Sequence, residues 1–166
     1  MEDLKNMKKN TIISTIAGVV TGAVTSSILV YKKQKKVIDR KTEYQAKMKE
    51  FYELLVAWLA LKQENKSLSD YFIKNNYKTV AIYGMKELGE RLLNELQGSE
   101  IEIKYIIDRN ADGIYADLDV FTPDDELEDV DVVVVTAIHY FDEIEAEMSD
   151  KMSCPIISLE DVIYAV

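Results

Sequence analysis

The 166-residue chain has room for one modest domain with appendages, and six glycines, two prolines and 48% apolar residues mark it as mostly folded rather than disordered. Its formal charge of −10 is unevenly spread: residues 1–41 carry +6, residues 42–76 are neutral, and residues 77–166 carry −16. So acidic a C-terminal part repels phosphate backbones and excludes nucleic acid as a partner, while the basic N-terminal part suits an anionic membrane surface.

After a basic tail at residues 1–9, residues 10–31 (NTIISTIAGVVTGAVTSSILVY) hold no charge. As a helix they span roughly 33 Å, the thickness of a bilayer core. Lys5, Lys8 and Lys9 precede them and Lys32, Lys33, Lys35 and Lys36 follow; such flanks reach lipid phosphates. The segment predicts a single membrane-spanning helix, in preference to a cleaved signal peptide or a soluble helix rich in Ser and Thr. The larger positive charge lies downstream, which places the C-terminal domain in the cytoplasm. Ser14, Gly18, Gly22 and Ser26 recur every four residues, the small-xxx-small pattern by which membrane helices approach one another, so self-association into a homo-oligomer is a further expectation. The lone cysteine, Cys154, permits no internal disulfide, fits a reducing compartment, and reads as a small core residue at the start of a strand.

Residues 32–76 read as juxtamembrane and connecting helices. From 33 to 65 there is neither Gly nor Pro, and Tyr44, Met48, Phe51, Tyr52, Leu55, Trp58 and Leu59 follow helical spacing. The stretch LLVAWLALK (54–62) is apolar nearly all round and needs a partner, either the following domain or a second copy of the chain. A short helix follows within 67–77, capped by Ser67 or Ser69 and ended by Asn75 and Asn76.

Residues 77–166 alternate strand and helix. Strands are predicted at 79–83, 101–107, 119–121, 130–136 and 155–158. Helices are predicted at 86–97, 139–151 and 159–164, with a short helical turn beginning at 123–127. The continuous valines of VDVVVVT mark a strand buried on both faces. The alternation implies an α/β fold, a small Rossmann-like parallel sheet with right-handed crossovers, preceded by the transmembrane helix and the long amphipathic helix. Ligands in such sheets bind beyond the carboxyl ends of the strands where strand order reverses, here between the first strand and the valine strand. That puts the Gly84–Gly89 turn opposite Thr136 and His139, with Asp108 beside the turn.

The stretches VAIYGMKELGERLLNEL, IKYIIDRNAD, VDVVVVTAIHYFDEI and PIISLEDVI resemble the Rossmann-like module found in bacterial cell-envelope polysaccharide proteins, where it accompanies sugar-nucleotide epimerase/dehydratases, sugar acyltransferases and glycosyltransferases. The resemblance covers about residues 71–163 and is one of module. It implies that Gly84 and Gly89 meet a nucleotide pyrophosphate and that Asp108 meets a ribose hydroxyl, with NAD or a nucleotide sugar as the ligand. The turn departs from the pattern at its third place, where Lys86 stands instead of glycine. Lys86 is either a phosphate contact that replaces backbone approach or a solvated first-turn residue; Glu87 beside it repels phosphate. Thr136 is a candidate hydrogen-bond donor to the ligand, and His139 a candidate ligand contact or acid/base group.

No nucleophile–base–orienter set, no metal-ligand spacing and no Tyr-x-x-x-Lys pair is visible, and the acidic run 123–131 lacks the ordered ligands of a calcium loop. No catalytic residue and no metal ligand is therefore assigned. The sequence points to a membrane-anchored module that binds a nucleotide or nucleotide sugar, accessory to envelope polysaccharide metabolism and its proteins. Two alternatives stay open: an enzyme that uses NAD or a nucleotide sugar, and a non-binding membrane scaffold that acts through its long helix.

Overall fold

The computed structural model describes the backbone of residues 2–166 and the side chains of Asp3, Met7, Lys9 and residues 30–166. Among the described residues no helix is long and apolar enough to cross a membrane. The side chains of residues 10–29, among them those of Ser14, Gly18, Gly22 and Ser26, lie outside the described ones. The chain divides into two compact units, Met1–Lys49 and Glu50–Val166. The first is helical throughout its described residues; the second is an α/β domain that includes the end of the same helix, α1 (Glu2–Gln63).

Five parallel strands form one sheet in the order β3-β2-β1-β4-β5: β1 (Thr79–Tyr83), β2 (Glu102–Ile107), β3 (Val120–Phe121), β4 (Val132–Val135) and β5 (Ile156–Ser158). The centre is the β1–β4 pair, with Ala81 opposite Val133 and Tyr83 opposite Val135. All four valines of β4 are fully buried. Side chains alternate across a strand, so they feed both faces. Val132 and Val134 join Val80 and Ile82 in one apolar cluster, and Val133 and Val135 join Ala81 and Tyr83 in the other.

On the first face pack α3 (Glu87–Leu96) and α5 (Leu159–Ala165), through Leu88, Leu92, Leu96, Leu159, Val162 and Ile163. The end of α1 and the short α2 (Ser69–Lys74) complete that layer with Leu54, Trp58, Leu68 and Phe72. The second face is covered by α4 (Phe141–Ser149), through Ile144 and Met148. Helices on both faces of a parallel sheet whose order reverses at β1–β4 are the arrangement the alternating pattern implies. The compact unit begins within α1, so the apolar 54–62 stretch packs on its own domain along one face. Tyr52, Leu55, Val56 and Leu59 stay exposed on another.

Three local expectations need correction. The 123–127 segment forms a turn rather than a helix. Asp125 Oδ2 accepts from both the amide and the hydroxyl of Thr122, at 2.6 and 2.8 Å, and so closes a turn where a helix would otherwise start. The segment after β4 enters a 3₁₀ turn, Ile138–Tyr140, so α4 starts at Phe141 and His139 sits ahead of it. Leu68, not a serine, is the N-cap of α2. Ser67 does its work from one place earlier, accepting from the Ser69 amide at 3.3 Å.

A single carboxylate ties α1, α2 and α3 together. Glu95, with 8% of its side chain exposed, accepts from Trp58 Nε1 and Lys62 Nζ at 2.6 Å each and from the Leu68 amide at 2.8 Å. Burial works to raise its pKa, but the Leu68, Lys62 and Trp58 hydrogen bonds outweigh it and hold the carboxyl below its ordinary value. Folding therefore favours the ionised form. The contribution is whole above the ordinary carboxylate range and fades as pH falls through that range and below it. Glu95→Gln is expected to cost about 1–3 kcal/mol at neutral pH. In urea titrations repeated along a pH series, its difference from the native chain should shrink on acidification.

Candidate functional site

The carboxyl ends of β1 and β4 enclose a cleft of about 370 Å³, with a mostly apolar lining. Its floor is the turn from β1 into α3. Gly84 adopts φ +94°, a left-handed conformation that glycine tolerates and other residues resist, and its amide donates to Ile107 O at 2.8 Å. Gly89, in the first turn of α3, permits close approach: a Cβ there would lie 2.1 Å from the Gly84 carbonyl oxygen. This is the helix–strand contact that the last glycine of a dinucleotide turn makes possible.

Asp108 stands beside the turn and latches it to β2. Its Oδ2 accepts from the Met85 amide at 3.0 Å and its Oδ1 from the Asn110 amide at 2.9 Å. Each oxygen keeps a further lone pair for a hydroxyl donor. Thr136 ends β4 and is buried. Its hydroxyl reaches the Gly84 carbonyl at 2.6 Å and the Tyr83 carbonyl at 3.2 Å. Its one proton is thus engaged within the protein, and the side chain braces the turn instead of donating to a ligand.

Lys86 is the N-cap of α3, with extended backbone and an exposed side chain on the cleft. Among the described residues its ammonium has no hydrogen bond or ion pair. A lysine side chain has no acceptor, and α3 has no side-chain cap at its N-terminus. His139 also lines the cleft, and its Nδ1 lies 3.2 Å from Glu50 Oε2 of α1. The structure thus gathers all of Gly84, Lys86, Gly89, Asp108, Thr136 and His139 around the end of β1; five of them line the cleft, and Gly89 underpins it.

Sequence reasoning missed other members. Arg109 follows Asp108 along the rim and is held by Glu143 and Glu147 of α4 at 3.1 and 2.7 Å. Its guanidinium is thereby neutralised, and the acidic face of α4 has a partner as well as solvent. The Tyr83 hydroxyl is buried and makes no hydrogen bond of good geometry. Burial raises its pKa, and the Arg109 charge opposes the rise. Phe51 of α1 forms part of the wall. Its helical spacing was visible in the sequence; its reach to the cleft depends on where α1 lies, and spacing carries no such signal.

Among the described residues no group of three or more His, Cys, Asp or Glu side chains converges as a metal site would. Compared with known protein families, curated proteins and solved structures, the chain matches none.

Gly84, Gly89 and Gly98 differ in what they tolerate. Gly84→Ala meets the positive φ and a Thr136 hydroxyl 3.0 Å from the new Cβ, whereas Gly98→Ala at φ +79° meets nothing within 4 Å. Gly89→Ala drives a Cβ into a backbone carbonyl. The expected order of destabilisation, read by chemical denaturation, is Gly89→Ala at about 3 kcal/mol or more, then Gly84→Ala, then Gly98→Ala at about 1–2 kcal/mol.

Proposed function

We propose that residues 50–166 are a Rossmann-like module that binds a nucleotide or nucleotide sugar at the carboxyl ends of β1 and β4. In this reading residues 10–31 tether it to a membrane with the module on the cytoplasmic side, where it serves envelope polysaccharide metabolism as an accessory. The observation that carries the binding role is the unpaired Lys86 ammonium on a cleft floored by the Gly84–Gly89 turn. A cation without a partner among the described residues, beside helix amides without a side-chain cap, supports a phosphate at that position. A cleft of about 370 Å³ falls within the range of small-molecule sites. The tether rests on the uncharged 10–31 segment and its flanking lysines.

One set of observations favours a second reading, the non-binding scaffold. Asp108 already holds the Met85 and Asn110 amides, and Thr136 already holds the Gly84 carbonyl. A turn so satisfied from within keeps its shape without a ligand.

Thermal-shift screening of the full-length chain in detergent, against nucleotides and nucleotide sugars, separates the two. A ligand at 100 times its dissociation constant adds about 2.7 kcal/mol of stability. The binding reading expects such a shift from at least one nucleotide and its loss in Lys86→Ala. Silence across the panel supports the scaffold. The tether has its own test: mixed with liposomes on a density gradient, the full chain is expected to float, and a 42–166 fragment to remain at the bottom.

A further inference from the structure

We infer that α1 restricts the cleft to a mononucleotide, because Glu50 and Phe51 stand where the second half of a dinucleotide, or the sugar of a nucleotide sugar, would lie. The inference rests on the nucleotide reading above and narrows it.

In an open parallel sheet a dinucleotide straddles the switch point, with one nucleoside on each side of the glycine turn. On the β2 side of this cleft stand Asp108 and Arg109, and the chain passes from β2 to β3 through a single 3₁₀ turn, Ala111–Gly113. On the β4 side the chain leaves Thr136 and turns through Ile138–Tyr140, and there it meets α1. His139 contacts Glu50, and Phe51 shares the cleft wall with Leu88 and Ile138 while packing against the buried cluster. A second nucleoside extending past β4 would need the space these α1 residues fill.

The wall is fixed in place. One turn further along α1, Leu54 is fully buried, and beyond it Trp58 and Lys62 are bonded to Glu95. Moving Phe51 aside would therefore require breaking those contacts. The volume left over lies near the lower end of the range for ligand sites.

Charge acts in the same direction. Glu50 carries its carboxylate to the β4 side of the cleft, and Glu160 of α5 is near enough to Glu50 and His139 to feel both. Glu87 stands at the start of α3. Against these acids, among the described residues that line the cleft, only Lys86 offers a cation not already bonded to a carboxylate, since Arg109 is held by Glu143 and Glu147 and His139 faces Glu50. One phosphate beside Lys86 is favoured; a second phosphate displaced toward Glu50 meets like charge, while a neutral sugar or a nicotinamide is kept out by the Phe51 wall alone.

Calorimetric titration of the full-length chain with adenosine and uridine monophosphates, NAD and UDP-glucose tests this. The native chain should bind a monophosphate at least about tenfold more tightly than NAD or UDP-glucose. Phe51→Ala should narrow that gap by raising affinity for the larger ligands while leaving the monophosphate unchanged. Glu50→Ala alters a side chain that is 58% exposed, and should act in the same direction if Phe51→Ala fails to fold. Equal or tighter binding of NAD or UDP-glucose by the native chain would overturn the inference and leave the nucleotide reading standing. An unchanged gap in the folded variants would also overturn it. Absence of binding by any nucleotide, large or small, would overturn both.

Discussion

The parallel pairing of β1 with β4 is the constraint on which the rest of the domain depends. Four consecutive valines cannot face water on either side, so β4 must lie inside a sheet with apolar cover on both faces. With β4 on one side of β1 and β2 on the other, the strand order reverses at β1. The loops that leave the two strands then diverge toward opposite helix layers and leave an opening at their carboxyl ends. The cleft follows from that topology. Thr136, the residue after the valine run, closes the relation by bracing the Gly84 carbonyl from across the strand pair.

The second layer of explanation concerns α1. One stripe of a long helix supplies Leu54, Trp58 and Phe51 to the first face of the sheet, and Glu95 anchors it through hydrogen bonds that also fix the start of α2. The end of the helix contributes to the domain's core and to the wall of its cleft. The same helix keeps Tyr52, Leu55, Val56 and Leu59 exposed, so its burial is one-sided.

Much of this was legible in the sequence where a local pattern dictates the outcome. The β1 boundaries, the valine strand, the long helix and the end of α2 at Asn75 and Asn76 follow from β-branched runs, from the absence of Gly and Pro, and from residues that tolerate positive φ; Asn76 has φ 60°. That Gly84, Lys86, Gly89, Asp108, Thr136 and His139 gather around the end of β1 was legible because a parallel sheet fixes where its strand ends meet. What was illegible depended on choices between near-equal local options. Tyr140 and His139 take a 3₁₀ turn before α4, and Asp125 folds back on Thr122 instead of starting a helix. The role of Thr136 as a brace, the capture of Arg109 by α4 and the arrival of Glu50 at His139 are contacts between elements distant in the chain, and no periodicity encodes them.

The central claim is that the opening between β1 and β4 is a nucleotide site and not only the outline of one. Backbone amide resonances of the isotopically labelled full chain, followed while adenosine monophosphate is added, test it most directly. The account predicts saturable shifts confined to residues 84–89, 108–110 and 136–140. Shifts that centre elsewhere, or a spectrum that stays unchanged at millimolar nucleotide, would contradict it.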